Sequence, residues 1–227
     1  WNLYFTGFVI FHFLEFLVTA LYQPFNVSYD SYLINHSKTY TLASIFCFIE
    51  FWIESFFFQK WNTLFVIIGI ILVCGGQFIR TLAMSTCGEN FSHLIMNSRN
   101  KSSGDKHQLV KTGVYSILRH PSYFGWFYWS IGTQILLCNP ISFILYTYAS
   151  WKFFSDRIPY EEEVLIACYK NEYVEYSQST IIGIPFVSGA QLSSQLQSPK
   201  NQNNTISTQS HDSPQSNQEN DVDQKID

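Results

Sequence analysis

Three stretches of this chain match the thickness of a bilayer core and carry almost no charge. The clearest runs from Asn62 to Met84, with no charged residue between Leu64 and Cys74, and residues 3–22 and 39–58 are the other two. A helix needs about 20 mostly apolar residues to cross the hydrocarbon region. Inside it, every backbone polar group must find its partner within the segment. The expected fold is therefore all-α, a polytopic integral membrane helical bundle whose surroundings are the lipid bilayer. Composition agrees, since 47% of residues are hydrophobic and only 13% are charged, well below the usual charged share of a soluble domain. The formal charge of -4 describes no single surface, because a polar C-terminal tail carries much of the acid; no nucleic-acid partner is expected. The chain opens at Trp1, already inside an apolar run, which reads as N-terminal sequence missing from 1–84, the block of spans.

Polar side chains inside these spans need partners. His12 and Glu15 fall in the first, and Glu50 and Glu54, one turn apart, in the second. Intramembrane ionisable groups are functional candidates by default. Pairing between helices, with Arg80 as the available cation, or a position near an interface is the plainer reading. Gly69, Gly75 and Gly76 would let a neighbouring helix come close, and Pro24 ends the first span.

Residues 85–120 are hydrophilic and hold Arg99, Lys101, Lys106, Lys111 and Arg119. Residues 121–154 are apolar again but too long for one span, and Asn139-Pro140 breaks them. That predicts a transmembrane helical hairpin of two spans, 123–137 then 141–154. Its return brings Lys152 and Arg157 to the side of the basic loop, which the positive-inside rule makes cytosolic. Residues 157–178 read as an amphipathic helix with Pro159 near its start and Glu161 to Glu163 in its first turns. Residues 188–227, rich in Ser, Gln, Asn and Asp, cannot bury enough apolar surface to order. The expected organisation is spans over 1–84, a catalytic module over 85–187 with a cytosolic cofactor loop, hairpin and C-terminal amphipathic helix, and a disordered tail over 188–227. The five cysteines are scattered with no C-x-x-C pair, so neither a disulfide framework nor a zinc site is indicated.

The polar cluster that the apolar blocks enclose is the candidate site: His107, Gln108, Leu109, Val110 and Tyr115, then Arg119, His120, Pro121, Ser122 and Tyr123. No H-E-x-x-H pattern is present, so no metal is expected. Ser122 lacks the G-x-S-x-G elbow of a nucleophile, and neither a Rossmann fingerprint nor a P-loop occurs. What remains is a loop of backbone amides, aromatics and cations that suits a polar cofactor bearing a carboxylate. Arg157 and Glu161 stand four apart, on one helix face. Spacing alone favours an ordinary ion pair at a membrane edge, worth about 0–1 kcal/mol.

These residues also carry a resemblance. Arg119-His120-Pro121-Ser122-Tyr123 with Gly125 and Trp126, preceded by His107, Leu109, Val110, Gly113 and Tyr115 and followed by Arg157, Glu161, Glu162 and Leu165, resembles the isoprenylcysteine carboxyl methyltransferases of the endoplasmic reticulum. Phe127 to Gln134 with Leu137-Cys138-Asn139-Pro140 resembles that family's animal-type members, and the likeness covers roughly residues 3–187. The resemblance implies S-adenosyl-L-methionine bound by His107, Gln108, Leu109, Val110, Tyr115, His120, Pro121, Ser122, Tyr123 and Glu161. It implies Arg157 beside the substrate carboxylate, and catalytic roles for Arg157, Glu161, His120 and Arg119. The implied reaction is methyl esterification of the α-carboxylate of a C-terminal prenylated cysteine in processed CaaX proteins such as small GTPases. The implied setting is the endoplasmic reticulum membrane, with the active site facing the cytosol. Two departures are visible: Met96 stands where the family pattern has Gln, and the loop 97–106 is longer. Three other readings remain. Phospholipid N-methyltransferases share the C-terminal module, but an amine acceptor has little use for Arg157. Sterol reductases share it too, without the hairpin motif. A non-catalytic scaffold would keep the fold alone.

Overall fold

The structure is a computed structural model that describes residues 1–34, 38–91 and 108–190. The described residues form six α-helices: α1 (Asn2–Tyr22), α2 (Lys38–Phe57), α3 (Thr63–Cys87), α4 (Pro121–Leu137), α5 (Pro140–Tyr169) and α6 (Asn171–Ser179). No strand occurs among them, only an isolated bridge between Leu118 and Ile181, so the all-α expectation holds. By length and composition, three helical segments can cross a membrane: Asn2–Tyr22, Tyr40–Phe57 and Thr63–Asn90. They are the three runs singled out from sequence. α1 ends where expected, its last turn closed by Gln23 N–H donating to Thr19 O before Pro24 starts a 3₁₀ turn. α3 starts where the Asn62 side chain accepts from the Leu64 and Phe65 amides.

α3 and α4 meet almost backbone to backbone. A Cβ on Gly76 would lie 2.6 Å from the Gly125 carbonyl, and one on Gly125 would lie 2.5 Å from the Gly76 carbonyl. Gly69 sits as tightly against Leu136, and Gly132 against Leu72. Two of the three glycines expected to admit a neighbour do so. Gly75 does not, since nothing lies within 4 Å of it; one residue of rotation, 100° on a helix, turns it away from the seam. α1 packs across this pair through Phe11, Val73 and Trp129, with the Phe11 and Trp129 rings stacked at 4.1 Å.

The ionisable groups in the spans pair as a low dielectric requires. Arg80 Nε donates to Glu15 Oε1 at 2.5 Å and Nη2 to Oε2 at 2.8 Å, while Nη1 reaches Ser122 Oγ at 3.0 Å. Glu50 accepts from the Ile141 and Ser142 amides, both at 2.7 Å, satisfying donors that the first turn of α5 leaves without helical partners. Glu54 pairs with Lys60 at 2.5 Å, and Lys60 also donates to Asn139. One end of α2 is thus tied to the α4–α5 turn. The interhelical pairing expected for Glu15 and Arg80 is present.

The hairpin forms, but its second arm does not stop at 154. α5 runs unbroken for 30 residues through Pro159, so that arm and the first half of the expected amphipathic helix are one element, and α6 supplies the rest. Pro159 removes one helical hydrogen bond. Burial of Phe154, Ile158 and Glu162 around it, at 2%, 0% and 2% exposure, holds the helix together. After α6, residues 180–190 form a strap. Ile182 and Ile184 are buried with Phe127, Ile131, Phe154 and Ile158, Tyr128 Oη donates to Gly183 O, and Trp151 Nε1 donates to Pro185 O. The strap includes residues 188–190, which composition placed in the polar tail.

Candidate active site

A cavity of about 860 Å³ opens beside the start of α4 and has two kinds of wall. Apolar residues from three helices (Phe11 and Phe46, then Leu145, Tyr148, Ala149 and Phe153) line one part. Several of these, including Phe46, Leu145, Tyr148 and Phe153, are well exposed. The apolar wall built by α2 and α5 is therefore not sealed by the chain's own side chains. The other part of the lining is polar. Gln108, Leu109, Val110, Tyr115, Arg119, His120, Pro121, Ser122, Tyr123, Arg157 and Glu161 all contribute to it. Every expected site residue that the structure describes thus faces one space. His107 lies outside the described residues, as do Met96 and the loop 97–106.

Local structure explains the convergence. Thr112 to Ile117 make a 3₁₀ turn around Gly113, whose φ of +60° favours glycine. This sets Tyr115, whose carbonyl accepts from Tyr176 Oη on α6 at 2.8 Å. Burial pushes the Tyr115 phenol above its usual pKa, so it remains a neutral donor. Pro121 opens α4 at N1, where a missing N–H costs nothing. That aims the side chains of His120 and Tyr123 at α5, their rings parallel within 4° at 5.6 Å.

On α5, two neighbouring carboxylates do different things. Tyr123 Oη donates to Glu161 Oε2 at 2.5 Å and accepts from Arg157 Nε at 2.8 Å. The expected one-face pair is therefore joined through a phenol rather than standing as an ordinary surface ion pair. The Arg157 guanidinium lies 5.6 Å from the Tyr123 and Phe153 ring centres. Glu162 turns inward, where its Oε1 accepts from Arg119 Nε at 2.6 Å and from His120 Nε2 at 3.1 Å. Burial alone would raise the Glu162 carboxyl, but the hydrogen bond and charge of His120, then those of Arg119, outweigh it and hold the pKa at about 2. Arg119 Nη1 also donates to the Thr180 carbonyl at 2.7 Å.

A family model for the "Isoprenylcysteine carboxyl methyltransferase (ICMT) family" matches residues 67–167. A solved structure of a eukaryotic intramembrane Ras methyltransferase superposes with a TM-score of 0.76 at 44% identity, covering 83% of this chain and 67% of that one. The protein-S-isoprenylcysteine O-methyltransferase of Xenopus laevis is 48% identical over 80% of this chain, which spans 62% of that relative's length. The relative of the same name in Saccharomyces cerevisiae is 45% identical over 82% of this chain and 80% of its own length. This chain belongs to the isoprenylcysteine carboxyl methyltransferase family. It is a multi-pass membrane protein like the solved intramembrane member, and the resemblance read from Arg119 through Leu165 is borne out.

Some of what builds this family member's cavity carried no sequence signal. The aromatic lining of α6, Tyr173 and Tyr176, with Tyr169 at the end of α5, sits on a segment of ordinary polar composition. The contact of Arg80 with Ser122 joins residues 42 apart. A cation in an apolar run marked Arg80 as needing a partner, but nothing in the run pointed to the α4 terminus. Glu162 appeared only as the second acid of a motif.

Proposed function

We propose that this chain methyl-esterifies the α-carboxylate of a C-terminal prenylated cysteine, with S-adenosyl-L-methionine as methyl donor. The carrying observation is that one cavity has both an exposed apolar part that suits an isoprenyl chain and a polar part that gathers Arg157, Tyr123 and Glu161. The proposed setting is the endoplasmic reticulum membrane with the polar part toward the cytosol, and the proposed substrates are processed CaaX proteins such as small GTPases.

The polar lining fits the donor. The backbone amides of Leu109 and Val110 have no partner among the described residues and suit a carboxylate. Glu161 suits an ammonium or ribose hydroxyl, and Gln108, Tyr115, Pro121 and Ser122 complete that wall. S-adenosyl-L-methionine supplies a methyl group on a sulfonium, ready for displacement by an oxygen nucleophile. A cysteine α-carboxylate, with a reference pKa of about 3.3–3.7, is already ionised at neutral pH, so the chain need supply no general base. Arg157 provides the planar fork that a carboxylate matches. Its Nε is fixed by Tyr123, so the fork acts as a positional clamp. Tyr123 keeps its hydroxyl hydrogen on Glu161, which sets the acid and the cation in register. The apolar wall keeps water from the reacting oxygen, and fixed approach supplies much of the rate. His120 and Arg119 are assigned to the donor side of the cavity, which both line.

The test is methylation of N-acetyl-S-farnesylcysteine by the chain in vesicles, with Arg157→Ala and His120→Ala variants. Both variants are expected to lose turnover, and wild-type turnover in both would reject the assignment. Methylation of phosphatidylethanolamine instead of the farnesylcysteine would favour an amine methyltransferase.

A further inference from the structure

Glu162 is 2% exposed and does not line the cavity, yet three donors from two distant parts of the chain converge on it. Arg119 Nε and His120 Nε2 reach Oε1, and the Ala190 amide reaches Oε2 at 2.8 Å. A carboxylate held at a pKa of about 2 is acceptor-only at neutral pH. The His120 nitrogen facing it must therefore carry hydrogen. In the neutral ring, that leaves Nδ1 as the acceptor. At the same carboxylate the strap is locked down. A Cβ on Gly189 would fall 2.0 Å from Glu162 Oε2 and 2.9 Å from Arg119 Nη2. Gly189 has no positive φ, so space and not backbone conformation demands glycine there.

We propose that Glu162 is a positioning residue for the methyl-donor side of the site: it holds His120 in the Nε2–H form and fastens the strap end at Ala190 to the same carboxylate. This rests on the function proposed above. No neutral isostere replaces the group. With glutamine, the amide nitrogen must face either Arg119 Nε–H or Ala190 N–H, and either choice sets donor against donor. The strap and the donor wall are therefore coupled through one side chain, and loosening Ala190 should be felt at His120.

The experiment uses the full chain in nanodiscs, comparing wild type, Glu162→Gln and Gly189→Ala. Glu162→Gln is expected to raise the KM for S-adenosyl-L-methionine roughly 10-fold, leaving the farnesylcysteine KM within about 2-fold. Gly189→Ala, which keeps the carboxylate, should shift the same constant in the same direction. The double variant should add little to either single change. Hydrogen exchange should show the Ala190 amide opening faster in both variants. Wild-type donor KM in both folded variants would overturn the proposal. So would an equal rise in the donor and acceptor constants, which marks a general structural role. If the wild type transfers no methyl group, the proposed function fails. The clamp is then judged separately, by the ¹⁵N signature of the His120 tautomer in wild type and Glu162→Gln: a change supports it, and identical signatures reject it.

Discussion

Glu161 and Glu162 are sequence neighbours on one helix, and they stand in opposite settings. The Glu161 carboxylate stands at the cavity wall, reached by one phenol that an arginine holds from the other side. The Glu162 carboxylate is enclosed, with an arginine, a histidine and a backbone amide closed around it. An α-helix turns about 100° per residue, enough to send adjacent acids to opposite sides of a wall. A charge presented to a ligand must stay accessible, whereas a charge that holds a scaffold must be saturated. Variants that separate these demands test the contrast.

The largest effect is expected from Glu162→Leu. It leaves Arg119 charged and without its carboxylate, a change that typically costs about 3–5 kcal/mol for a buried pair. Thermal unfolding in detergent should show the loss, and a wild-type transition would break the contrast. Next is Arg157→Ala. Turnover on farnesylcysteine should fall roughly 100-fold, the loss of a transition-state clamp, with little change in the unfolding temperature. A large fall in stability would make Arg157 scaffold and not site. Tyr123→Phe keeps the ring and removes the link, so activity should fall about 10-fold, as for a hydrogen bond to a charged group. Stability should barely move. The smallest effect concerns pH. The Glu162 carboxyl is depressed below its ordinary value of 4.5 to about 2. Its contribution is complete above pH 4.5 and is lost as pH falls from there toward 2. Between pH 7 and 5, the stability advantage of wild type over Glu162→Gln should not shrink. A difference that shrinks in that range would show that the clamp is not the anion described.

What could be read in the sequence was whatever repeats locally. Three charge-poor runs specify three helices because hydrocarbon leaves the backbone no alternative. A lone Arg80 among apolar residues, with Glu15 in another run, signals a pair for the same reason. Residues tied together by distance in the chain were not legible. The Arg119–Glu162 contact spans 43 residues and Asn139 to Cys47 spans 92, and neither has a periodic signature. Pro159 misled in the opposite way. Its local rule marks a helix start, yet buried Ile158 and Glu162 beside it keep α5 continuous. At the site, motif order pointed to residues that the fold brings to one cavity. It could not show that Tyr123 stands between Arg157 and Glu161, because that depends on where α4 lands on α5.

The glycine seam between α3 and α4 carries a mechanical consequence. Where main chains touch, no side-chain rotamers are available to absorb a displacement. The two helices should respond to a thicker or thinner bilayer as one stiff rod. The depth at which Ser122 meets Arg80 is then fixed by the seam together with the Glu15 pair, and the cavity beside it would keep its height as membranes of different lipid content pass around it.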